Sequence, residues 1–97
     1  MIVFDAPRQL TPNQFRRFKC TAHLGSTLPG EAGTQELLAF GAAIGLRESW
    51  LQHRGEPTEH FDLFDGAVAR ARSAGAQEVT GREFIERVVR SKRAEAK

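Results

Sequence analysis

Apolar positions along the chain fall in short runs whose spacing changes from one run to the next. Met1 to Phe4 is apolar and partly β-branched. It ends at Asp5 and is stopped by Pro7, which lacks a backbone N–H and fixes φ, so an N-terminal strand is predicted. Leu10 to Gln14 reads as loop, and Phe15 to Leu24 as a second extended segment or a short ordered loop. Gly25 to Gly33 carries Pro29 and three glycines, a composition that predicts a flexible connection long enough to act as a flap over a site.

Thr34 then offers an N-cap, and Leu37, Leu38, Phe40, Gly41 and Ile44 recur at helical spacing up to Gly45, which suits a φ > 0 stop. Ser49 to Gln52 predicts a short strand, and Gln52 to Glu59, with Gly55 and Pro57, a loop. His60 to Leu63 is a further strand, followed by a small-residue helix over Asp65 to Ala74 closed by Gly75. Gln77 to Val79 is predicted as strand. Thr80 and Glu83 stand at capping-box spacing, ahead of a helix with the apolar stripe Phe84, Ile85, Val88 and Val89. Strands alternating with helices predict an α/β fold: one small single-domain sheet, mainly parallel, with about three helices.

Length sharpens this picture. A chain of 97 residues makes one domain, here residues 1–97 with 91–97 as a polar tail. A domain of this size buries roughly 60 to 70% of its unfolded surface, which leaves no room for a large internal cavity. The sequence contains no apolar run of about 18 residues and no charged-then-apolar leader, so a cytoplasmic protein without a membrane span is expected. The single Cys20 excludes an internal disulfide and a thiolate-rich metal site, and reads as a buried free thiol.

The net charge of +2 is unevenly spread: residues 1–24 carry +3, residues 25–81 carry −4 and residues 82–97 carry +3. Positive ends could attract an anion or a nucleic-acid backbone, while the acidic middle argues against a protein coated in positive potential.

Candidate chemistry gathers where strands end. Asp5, Arg8, His23, His60 and Asp62 each lie beside a short apolar run, at positions where open α/β sheets present ligand-contacting groups. Two chemistries fit them. One is a binding module for an anionic or nucleotide-like ligand, or for a macromolecular partner. In it Arg8, Arg17, His23 and His60 donate, Asp5 and Asp62 accept, and Trp50 offers a stacking face. The other is a metal-dependent hydrolase or nuclease. There His23, His60 and Asp62, with Asp5 as a further candidate, hold a divalent metal cofactor that lowers the pKa of bound water, and Glu59 or Asp65 would supply another carboxylate. His-x-Asp on a strand puts both side chains on one face by the period of two, but no longer metal motif occurs. Taken singly, each residue also has a plain structural role: His60 as a packed side chain, Asp62 as a helix cap, Trp50 as core. Catalysis is left open by these residues.

The ordered set Val3-Phe4-Asp5-Ala6-Pro7-Arg8, Cys20-Thr21-Ala22-His23-Leu24, Glu36-Leu37-Leu38-Ala39-Phe40, Ile44 to Gln52, His60-Phe61-Asp62-Leu63 and Ala74 to Thr80 resembles the DUF4031 family of short bacterial and bacteriophage proteins. The resemblance spans nearly the whole chain. It implies the same small fold and features the same Asp, Arg, two His and Asp, while implying no activity. A phage origin would make a host protein a candidate partner. The chain departs from the family pattern at Leu38, where the family carries His, and at Phe61, where it carries Tyr. Gly66, Ala67 and Val68 replace a Ser-Lys-Arg-like stretch, which removes two cations from a helix start.

Overall fold

The computed structural model describes residues 1–10 and 19–95. Its strands are β1 (Ile2–Asp5), β2 (Arg8–Gln9), β3 (Cys20–Ser26), β4 (Phe61–Phe64) and β5 (Gln77–Val79). Helices α1 (Gly30–Ala43) and α2 (Gly66–Ser73) flank β4 in the chain. The C-terminal helix begins as α3 (Gly81–Phe84), continues as a π-helical stretch (Ile85–Arg90) and ends as α4 (Ser91–Glu95).

The sheet is mixed and mostly antiparallel, a correction to the mainly parallel sheet expected. β3 pairs antiparallel with β1, β2 and β4, and only β1 and β5 run parallel. A helix between two strands makes them parallel only when the connection returns the chain to the end where the first strand began. After α1 the segment 44–60 enters β4 from the opposite end, and no helix among the described residues separates β1, β2 and β3.

β3 is the axis of the molecule, and its alternation sorts side chains to two faces. On one face Ile2, Phe4, Ala22, Leu24, Phe61 and Leu63 meet α1 and α2 through Leu37, Val68 and Ala71. On the other, Val3 and Val79 are covered by Phe84, Val88 and Val89 of the C-terminal helix. A Cβ on Gly25 would lie 3.0 Å from both Phe84 and Val88, so the glycine sets how closely that helix approaches. The helix covers the Val3, Val79 and Gly25 part of this face and reaches the edge of His23 through Phe84. The rest, where Asp5, His23 and Asp62 project, stays partly open.

Several local expectations are revised. The flap over 25–33 is not present: β3 runs on to Ser26 and α1 starts at Gly30, whose φ of +64° suits glycine. Thr34 does not cap α1; it lies within the helix, buried, and its hydroxyl donates to Glu59 Oε2 at 2.6 Å. Glu48–Trp50 forms a 3-10 turn instead of a strand, and beyond it Gln52 makes a single bridge to His60. The capping box at Thr80 and Glu83 is present in full, Gly45 and Gly75 take positive φ, and α2 and β5 lie where the pattern places them. Ile85, read as part of the buried stripe, is exposed, while Phe84, Val88 and Val89 are buried. In the 91–97 tail the helix continues as α4 to Glu95, and Lys92 is buried within it. Burial pushes its ammonium pKa below the ordinary value, against the opposing charges of Glu59 and Glu36. Among the described residues no helix is long and apolar enough to cross a membrane.

Candidate functional site

Register brings the site together. His23 sits in the middle of β3 directly opposite Asp62 of β4, and Asp5 ends β1 on the other side of β3. His60 precedes β4 by one residue and is fixed by two backbone bonds with Gln52. Adjacent strands lie about 4.8 Å apart, so side chains on one face at these positions fall within reach of one another.

Asp5 grips His23 twice. Its Oδ1 accepts the His23 backbone N–H at 2.7 Å and its Oδ2 lies 2.7 Å from ring Nδ1. The hydrogen bond to Asp5 is the main cause of a His23 pKa raised above its ordinary value, against burial, with the charges of Asp5 and Asp62 adding to it. A carboxylate accepts, so Nδ1 donates to Asp5, and whenever the ring is neutral Nε2 carries the lone pair that faces the site. His60 is set the same way by a different partner. Its Nδ1 lies 2.7 Å from the Thr58 carbonyl, which can only accept, so Nδ1–H donates and in the neutral ring Nε2 carries the lone pair.

Both Nε2 atoms face one oxygen. Asp62 Oδ1 is 3.4 Å from His60 Nε2 and 3.9 Å from His23 Nε2, and the three ligand atoms lie within 4.8 Å of one another. The second oxygen, Oδ2, accepts from Gln52 Nε2 at 2.5 Å. The two imidazoles meet edge to face at 5.2 Å. Phe84 borders His23 at 6.1 Å, and His53 stacks on His60 at 5.9 Å. A tetrahedral ion with bonds of about 2.0 to 2.1 Å needs donors about 3.3 Å apart, so small side-chain rotations would close the three onto one ion. The side chains of His23 and Asp62 remain 37% and 32% exposed, which leaves the outer side of such an ion facing solvent.

The remaining expected residues fall differently. Arg8, exposed on β2, is near enough for its charge to oppose protonation of His23. Arg17 lies outside the described residues. Trp50, for which a core role was weighed, is 52% exposed and joins Asp62 in the wall of a groove. Glu59 and Asp65 are not further ligands. Glu59 is buried, its Oε2 accepting from Thr34 and from Gly55 N–H, and Asp65 Oδ1 accepts the backbone N–H groups of Lys19 and Cys20. Cys20 is half-buried at the start of β3, a correction to the buried thiol.

Two contributors carried no signal in the sequence: Gln52, which holds Asp62, and the Thr58 carbonyl, which sets the His60 tautomer. Their roles depend on how the segment 52–60 folds back on itself. A hydrogen-bonded Gln and a backbone carbonyl leave no residue pattern.

A family model described as a protein of unknown function, DUF4031, matches residues 13–91, most of the chain. The chain belongs to the DUF4031 family. His23, His60 and Asp62 lie within the DUF4031 match, and Asp5 and Arg8 precede it. Comparison with curated proteins gives no match, and comparison with solved structures gives none.

Proposed function

We propose that this DUF4031 protein binds one divalent transition-metal ion through His23 Nε2, His60 Nε2 and an Asp62 oxygen, and uses it to activate water for hydrolysis. The observation that carries this is the geometry of the two rings. Each histidine has Nδ1 engaged by a fixed acceptor and Nε2 directed to the same carboxylate oxygen. Metal-ligating histidines need such second partners, a carboxylate or a backbone carbonyl, to fix the ring and raise its basicity.

Two imidazoles and a carboxylate suit zinc, manganese or iron. Three protein ligands with a solvent-facing side are the arrangement of catalytic centres, whereas structural zinc sites close with four protein ligands. The ion would supply a water of lowered pKa and polarise the bond under attack. The chain's own part is to hold the ligands, through Asp5, Gln52 and Thr58. Asp62 would ligate through Oδ1 while Gln52 holds its Oδ2. A binder that used the histidines as donors to an anion would gain nothing from directing both Nε2 atoms onto a carboxylate, and this favours the metal over a non-catalytic anion site.

The test is a thermal-shift titration with zinc and manganese, paired with hydrolysis of bis(p-nitrophenyl) phosphate. Wild type gains stability and metal-dependent turnover, and His60→Ala gains neither. Metal binding without turnover would remove the hydrolase assignment and keep the metal.

A further inference from the structure

Beside the metal cluster lies a groove of about 470 Å³, with Leu46, Trp50, Phe64 and Ala67 as apolar walls and Asp62 and Arg70 as polar ones. We infer that this groove binds a planar anionic molecule of nucleoside-monophosphate size, its ring on Trp50 and its phosphate held by Arg70 toward the edge that Asp62 shares with the metal cluster. The inference names the substrate class of the metal site and rests on that reading for where the reacting bond lies.

Trp50 is the first support. Its indole is large and apolar yet 52% exposed, and the Arg47 guanidinium sits over the ring at 5.8 Å. A half-exposed indole in the wall of an apolar groove leaves the area that a planar ring would cover. Phe64 and Leu46 continue the apolar lining, so a ring placed there is held by area and shape instead of by base-specific bonds.

Arg70 is the second support. Its Nε donates to the Ile44 carbonyl at 2.9 Å, which pins the guanidinium on the groove wall. That is its one hydrogen bond among the described residues, and no carboxylate of those residues pairs with it. By contrast Arg54 and Arg72 are spent on Glu48 and Glu78. A pinned guanidinium with its terminal nitrogens uncommitted is suited to bidentate capture of a phosphate or carboxylate. Asp62 is shared between the groove and the metal cluster, so a ligand lying on Trp50 and Arg70 extends toward the ion.

Trp50 is the sole tryptophan in a chain without tyrosine, so its fluorescence reports this groove alone. Wild-type protein and Arg70→Gln are titrated with adenosine 5′-monophosphate, adenosine and inorganic phosphate, with and without zinc, and isothermal calorimetry is run in parallel. Circular dichroism and zinc stoichiometry check that the variant is folded. The expected result is saturable quenching by the monophosphate, at least tenfold weaker binding of adenosine and of phosphate, and at least a tenfold loss in Arg70→Gln. No saturable response to the monophosphate in either metal state, or equal affinity in the folded variant, overturns the groove assignment. Saturable binding in a protein that takes up no zinc supports the groove and removes the metal reading instead.

Discussion

Asp5 and His23 come from different strands and are joined by two bonds, one to the backbone N–H and one to the ring Nδ1 of the histidine. The first bond takes a donor on the β1 side of β3 next to the Phe4–Leu24 pair, and the second turns the ring so that Nε2 faces Asp62. One carboxylate thus fixes both where the histidine stands and which nitrogen it offers.

Asp5→Asn tests that relationship. An amide can still accept from one donor but has no charge with which to raise the basicity of His23, so metal affinity should fall about 10- to 100-fold with the fold retained. Competition with a chelating dye measures it. Unchanged affinity would mean that Asp5 serves the sheet alone.

Glu59 anchors the segment that carries Thr58 and His60. Glu59→Ala leaves the Thr34 hydroxyl and the Gly55 N–H without their buried acceptor, at a cost of roughly 3 kcal/mol in urea denaturation. Glu59→Gln keeps an acceptor at the same place and should recover much of that loss.

Gly41 of α1 sits against Phe61, between His60 and Asp62 in sequence. A Cβ at this position would lie 2.8 Å from Phe61 Cε2, closer than atoms tolerate. Gly41→Ala should destabilise the protein by roughly 1 to 3 kcal/mol through the forced shift of that ring, and should weaken metal binding because the strand bearing Asp62 moves with it. Thermal unfolding with and without zinc reads both effects.

Asp65 gives a pH dependence whose sign is fixed. The backbone N–H groups of Cys20 and Lys19 hold its carboxyl below the ordinary pKa of about 3.8. A group whose folded pKa is depressed adds stability above its unfolded pKa and loses it as the pH falls through the folded value. Wild type should therefore be more stable than Asp65→Ala at neutral pH, and the gap should shrink to nothing in strong acid. A gap that is constant from neutral pH into strong acid would show that the charge has no part in it.

Much of the local structure was legible from residues. Thr80 with Glu83, Gly45, Gly75 and the runs at 2–5, 61–64 and 77–79 act through neighbours a few positions away, and their signals survive in the sequence. Asp5, His23, His60 and Asp62 were expected together at the ends of neighbouring parallel strands; they do meet, but across the face of a mostly antiparallel sheet, with His23 in the middle of β3 and β3 standing between β1 and β4. The strand directions were not legible. They depend on which end of the sheet the segment 44–60 delivers the chain to, a long-range property of packing. Thr34 misled for a related reason: its hydroxyl has a partner in Glu59, 25 positions away, that competes with a cap. Trp50 was weighed as core because burial is the usual fate of a large apolar ring, and the 3-10 turn at Glu48–Trp50 instead puts it at the surface.

The most direct measurement is metal stoichiometry. Purified protein is stripped with chelator, dialysed against zinc or, separately, manganese and analysed by plasma emission spectrometry, alongside His23→Ala and His60→Ala variants shown by circular dichroism to be folded. One zinc per chain in wild type and none in either variant is the predicted result. Wild type without bound zinc or manganese, or folded variants that retain the full complement, would contradict a metal held by His23, His60 and Asp62.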